Sequence, residues 1–193
     1  ARLSRAKRRS KVKALVEARD ADGLIEFASR EKDTAHRVLS LAFDRDEMTR
    51  WRAIELLGKL AASIARDQGT EKVRALIRRV FWLMNDESGG IAWSGPEVIA
   101  EILYNVPELI DEYGRIVASF TDEPPFGPGA HYAIARLAGV RPDQFKDVVE
   151  QLRTSSIGSD DPRERALGLS GLTSLDPVAA RNAAQTLLED STP

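Results

Sequence analysis

Cysteine is absent from the 193 residues, which rules out disulfides, thiolate metal sites and cysteine nucleophiles. Histidine is almost absent. His36 and His131 are too few for a site that needs two or three imidazole ligands. No apolar run reaches the roughly 18 residues of a membrane span. The longest, over 75–84, is broken by Arg78 and Arg79. The basic N-terminal segment is not followed by the apolar stretch of a secretory signal. No Gly-x-x-x-x-Gly-Lys phosphate loop occurs, because Gly89-Gly90 has no lysine after it. The serines lack a nucleophile-elbow context, and no segment alternates as a strand would. These absences lead us to expect a cytoplasmic protein with no catalytic residues, no metal and no cofactor.

What is present is ordinary in amount and unusual in distribution. Hydrophobic residues make up 42% and charged residues 30%, enough to build a core in one domain or one continuous array. The formal net charge of -2 hides two opposed halves. Residues 1–81 carry 20 Lys or Arg against 12 Asp or Glu, a balance of +8. Residues 82–193 carry 8 against 18, a balance of −10. Such a field steers partners and says nothing about the fold.

Acidic turns recur along the chain. With Asp46, Asp86, Asp122, Asp160 and Asp190 as markers, the spacings are 40, 36, 38 and 30 residues. Each of the first four turns precedes a segment built on small residues. Ala53, Gly95, Ala130 and Ala166 occupy one position of it, and Gly58, Ala100, Ala135 and Gly171 another. Helices approach closely only where the facing residue is small, so a small residue repeated at this period predicts stacked helical hairpins. A second amphipathic segment follows, as at Val73, Leu76, Ile77, Val80 and Phe81, which repeat with a helical period. The acids suit helix starts, where their side chains cap orphan N–H groups. Residues 1–43 fit the repeat poorly and are expected to form a basic cap: a helix over about 4–19, a shorter one near 22–30 and another near 33–43.

The stretch Asp161-Pro162-Arg163-Glu164-Arg165-Ala166-Leu167-Gly168-Leu169, and after it Asp44 to Gly58, resembles HEAT repeats, in particular the short kind of PBS-lyase-like HEAT proteins. The resemblance covers roughly residues 44–190. It implies an all-α fold: a right-handed, armadillo-type α-solenoid of about five HEAT-like hairpins, with 44–193 as one continuous domain behind the 1–43 cap. It also implies a function class, since HEAT arrays mostly bind other macromolecules. The expected function is therefore a non-catalytic scaffold for a protein or peptide partner, and a basic partner would suit Asp86, Glu87, Asp122 and Glu123. The alternative is a HEAT-like enzyme. One such group attaches or isomerises bilins; another excises alkylated DNA bases, and the segment from Trp93 to Tyr113, with its Pro107-Glu108-Leu109-Ile110 turn, faintly resembles the latter. Those glycosylases use a basic groove, whereas the half containing Trp93 is acidic, so specific nucleic-acid binding is not expected.

Two loops stand out. Asn85 to Glu97 combines Asp86, Glu87, two glycines, Trp93 and Pro96. Asp122 to Gly129 combines Asp122, Glu123 and Phe126 and leads into His131 and Tyr132. Equivalent loops of adjacent repeats share an edge. An acid-and-aromatic ridge of Asp46, Glu47, Trp51, Asp86, Glu87, Trp93, Asp122, Glu123, Phe126 and His131 is thus the expected docking surface, with Trp93 or Tyr132 as anchor. The plainer account is that the loops are connectors and Trp93 a plug between repeats. His131 beside Glu97 or Glu101 would make a general base. Asp86, Glu87 and His131 are metal-compatible ligand types, but their spacing supports no site. The run Arg2, Arg5, Lys7, Arg8, Arg9, Lys11 and Lys13 offers phosphate contacts or, more plainly, a solvated face.

Overall fold

A computed structural model describes residues 3–85 and 92–188. Eleven α-helices occur among them, and no strand. By its contacts the chain divides into two units, residues 1–106 and 107–193.

In the first unit, α1 (Arg5–Glu17), α2 (Ala21–Arg30) and α3 (Thr34–Leu41) pack on α4 (Glu47–Gln68). Then come α5 (Thr70–Met84) and α6 (Gly95–Asn105), each against α4 and against each other. Acidic side chains cap α2 and α4, the latter at the expected Asp46. The amide of Gly23 donates to Asp20 Oδ1 at 2.8 Å, and that of Thr49 to Asp46 Oδ2 at 2.7 Å. Each satisfies an amide that has no partner inside its own helix. Gly69 ends α4 and begins α5 with φ 87° and ψ 157°, a conformation open in practice only to glycine. The unit is organised around α4, whose 22 residues make it about 33 Å long. Ala53, Ile54, Leu56, Leu57, Leu60 and Ala61 of this helix are all buried.

The contact between α4 and α6 rests on a glycine. A Cβ at Gly58 would lie 2.5 Å from the carbonyl oxygen of Glu101 and 2.7 Å from Asn105 Nδ2. The helix backbones therefore meet where a side chain has been omitted. Ala53 on α4, and Gly95 and Ala100 on α6, are buried too.

The second unit holds α7 (Ile110–Ala118), α8 (Gly127–Ala138), α9 (Val149–Gly158), α10 (Pro162–Leu175) and α11 (Pro177–Leu187). Three 3-10 segments, Pro107–Leu109, Ser119–Asp122 and Pro142–Val148, join or extend them. Here α8 packs on α10, and α10 also packs on α9 and α11. A Cβ at Gly171 of α10 would come within 3.0 Å of Leu152 and 3.6 Å of Ile134. Phe145 is fully buried and fills the space beside Gly114. Asp161 and Asp176 cap α10 and α11 with their carboxylates.

The all-helical expectation holds for the described residues, and no described helix is long and apolar enough to cross a membrane. The three expected N-terminal helices form within a few residues of their expected bounds. Two details differ. Ala166 is exposed, and the buried stripe of α10 runs instead through Gly168, Gly171 and Leu172. The Arg165 guanidinium, donating to the carbonyl of Ser159 at 2.8 Å, belongs to the helix start, and the packed face begins later along the helix. Asp122 does not cap α8, which begins five residues later at Gly127 behind Phe126.

Candidate functional site

The start of α6 is where the first unit gathers its most unusual side chains. Ser94 and Pro96 set up the helix. Proline suits a first turn because its missing N–H would have had no helical partner. The buried Ser94 hydroxyl donates to the carbonyl of Ala42 at 2.6 Å, at the end of α3. A Cβ at Gly95 would lie 2.5 Å from Met84 Cγ, so α6 begins tight against the end of α5. The segment Ala92–Gly95 is thus anchored to two other helices.

That anchoring places Trp93 over Arg50. The guanidinium carbon lies 4.3 Å from the ring centroid. Arg50 is buried, donates to the carbonyl of Asp44 at 3.2 Å and pairs with Glu47 at 3.7 Å. A cation stacked on indole and partly desolvated is worth roughly 0.5–2 kcal/mol. Trp93 itself remains 40% exposed.

Glu97 lies in the first turn of α6, within electrostatic reach of Arg50. Burial pushes its carboxyl up to about 7, against the opposing attraction of the Arg50 cation. Its Oε2 is buried and makes no hydrogen bond to a described residue. Glu101, one turn further, is buried as well. The cluster therefore contains a cation shielded by indole and a carboxyl group that holds its proton into the neutral range. Chemically it offers a partly exposed indole stacked on a desolvated cation.

The other expected residues are distributed as follows. Asp86 and Glu87 lie outside the described residues. Asp46 and Glu47 are exposed at the start of α4, and Trp51 is half-buried. Asp122 and Glu123 are exposed in the second unit, where Asp122 Oδ2 accepts from Gln151 Nε2 at 3.0 Å. Phe126 is 7% exposed and stacks edge-on with Phe120 at 5.6 Å. His131 is 3% exposed, and its Nδ1 donates to the carbonyl of Gly127 at 2.9 Å. Phe126 and His131 thus face the interior of their unit, and Tyr132 is half-buried. A ring hydrogen-bonded to the carbonyl four residues back in its own helix fits a structural histidine better than a general base. Among the described residues no group of three or more His, Asp or Glu could hold a metal ion.

Sequence reasoning reached Trp93 but not Arg50 or the burial of the Glu97 carboxyl. One signal was available: Trp93 and Glu97 lie four residues apart on either side of a helix start. Nothing in the sequence tied either to Arg50, 43 positions before Trp93.

No protein-family model matches the chain, and no solved structure matches it. An uncharacterized protein of Archaeoglobus fulgidus is similar, with 30% identity over 118 residues. That stretch covers 61% of this chain and 61% of the archaeal protein.

Proposed function

We propose that the chain is a HEAT-like helical scaffold that docks a protein or peptide partner and carries no chemistry of its own. The observation that carries the repeat reading is the same packing relation within each unit. In the first, α4 stacks on α6 through the small residue Gly58; in the second, α8 stacks on α10, where Gly171 is buried. These are the leading helices of successive hairpins in the repeat register, and a small residue lies at the same register position in each stack. On this reading the array is a right-handed, armadillo-type α-solenoid. Its radius of gyration in solution then exceeds the roughly 16 Å of a compact chain this long. Small-angle X-ray scattering that returns the compact value rejects it.

The docking edge of this reading is the start of α4 and α6, with Trp93 as the anchor and, at the start of the helix that carries Arg50, Asp46 and Glu47 as acids for a basic partner. A half-exposed indole whose inner face is already fixed by Arg50 loses little freedom on binding, as suits a hot spot. The experiment places a photo-crosslinking amino acid at Trp93 and, as control, at Leu188, which is 84% exposed. A discrete adduct from position 93 alone in an extract of the source organism supports the docking edge. Identical patterns from both positions reject it.

A further inference from the structure

Two cavities in the first unit share a wall. The larger is a groove of about 820 Å³ over the second half of α4, with α2 and α3 on one side and α5 on the other. It exists because α4, at 22 residues, is far longer than α2 at 10 or α3 at 8, so these two cannot cover it. Ile25, Leu60, Ile64 and Leu76 give it an apolar lining, and Ala35 and Ala75 are too small to close it. Exposed Lys32 and Lys72 also line it, with Asp67 as an opposing charge. The smaller cavity is a cup of about 470 Å³ between α1 and α3, lined by Arg5, Arg8, Asp33, His36, Arg37 and Ser40. His36 belongs to both walls, so groove and cup adjoin at this residue.

The cup is built rather than incidental. Arg8 Nη1 meets Glu31 Oε2 at 2.9 Å, and Arg37 meets Asp33 at 3.7 Å, with the arginine side chains only 15% and 17% exposed. Arg8 Nε is buried and makes no hydrogen bond to a described residue. Each guanidinium carries five N–H donors in a rigid fork, more than one carboxylate contact uses. Three guanidiniums face two carboxylates here, which leaves positive charge and spare donors, the combination that binds carboxylate or phosphate. On the groove side, two lysines face one aspartate. A simple anion would use the cup alone and an apolar ligand the groove alone. A ligand with both parts matches the pair.

We propose that the first unit binds a single-chain amphiphile with an anionic head, its alkyl chain in the groove and its phosphate or carboxylate in the arginine cup. The groove volume lies within the roughly 300–1,000 Å³ of small-molecule sites. The site is independent of the docking edge at Trp93, and neither depends on the other.

The test is isothermal titration calorimetry on the intact chain, with probes kept below their micelle-forming concentrations. Dodecyl phosphate is expected to bind one to one. Decyl phosphate binds more weakly, by up to about fourfold for each methylene removed. Dodecyltrimethylammonium, with the same chain and the opposite charge, and inorganic phosphate, with no chain, each bind at least tenfold more weakly than dodecyl phosphate. Ala75→Trp fills the groove and Arg5→Glu reverses a charge in the cup, both at exposed positions. Each is expected to weaken dodecyl phosphate binding tenfold or more at an unchanged Tm. The proposal is overturned if dodecyl phosphate gives no saturable heat. It is equally overturned if the ammonium probe or inorganic phosphate binds as tightly, or if both variants bind like the parent.

Discussion

Replacing Glu97 by Gln turns its burial into a measurable pH dependence. Burial raises the carboxyl from an ordinary value of 4.5 to about 7, with Arg50 only partly opposing the shift. The native state therefore holds this proton more tightly than the unfolded chain does. The stability that follows is fully present below the unfolded value of 4.5, is lost as pH rises, and reaches its floor above about 7. At about 1.4 kcal/mol for each tenfold change in proton affinity, the loss across that window comes to about 3 kcal/mol. This is an upper figure, because Arg50 and water can relax around the charge. Glutamine has nearly the same shape and does not titrate, so it escapes the loss. Urea denaturation of parent and Glu97→Gln at pH 5, 6, 7 and 8 reads the difference directly. The variant is expected to gain about 2–3 kcal/mol on the parent between pH 5 and pH 8, with the denaturant slope unchanged. A difference that stays constant across this range, or a parent that gains on the variant as pH rises, refutes the reasoning.

Gly58→Ala drives a Cβ to 2.5 Å from the Glu101 carbonyl oxygen, a backbone atom that cannot swing away. Urea denaturation should show a loss of roughly 1–3 kcal/mol, and a variant as stable as the parent would mean α4 and α6 do not meet there. Asp176→Ala removes the carboxylate that accepts from the amides of Val178 and Ala179. A loss of about 1 kcal/mol is expected, and no change in unfolding free energy would show that α11 does not depend on its cap. Fluorescence anisotropy with labelled duplex DNA should detect at most weak binding that falls steeply with added salt and is lost when Arg2 to Lys13 are made neutral. Submicromolar, sequence-selective binding near physiological ionic strength would contradict this.

Several features could be read from the sequence because their causes are local. The helices follow from apolar residues at a helical period, as at Val73, Leu76, Ile77 and Val80, and these are buried in α5. The helix starts at Asp46 and Asp161 follow from a carboxylate reaching an amide two or three residues ahead, a reach independent of the rest of the chain. Small residues at Ala53, Gly58, Gly95 and Ala130 marked close packing and are buried. Ala166 matched the same pattern and is exposed, because a motif cannot specify how far a helix is rotated about its own axis when it docks.

The tertiary structure decided everything that joins distant positions. It set Arg50 under Trp93, drew the Glu97 carboxyl inside near Arg50 and turned Phe126 and His131 inward. It also brought α1 to α3, so that part of a basic N-terminal run became one wall of an arginine cup. The physical reason is range. Periodicity and capping act over three or four residues, and a sequence displays them in order. Side-chain contacts across packed helices depend on crossing angles, helix lengths and rotation, set by the whole core at once.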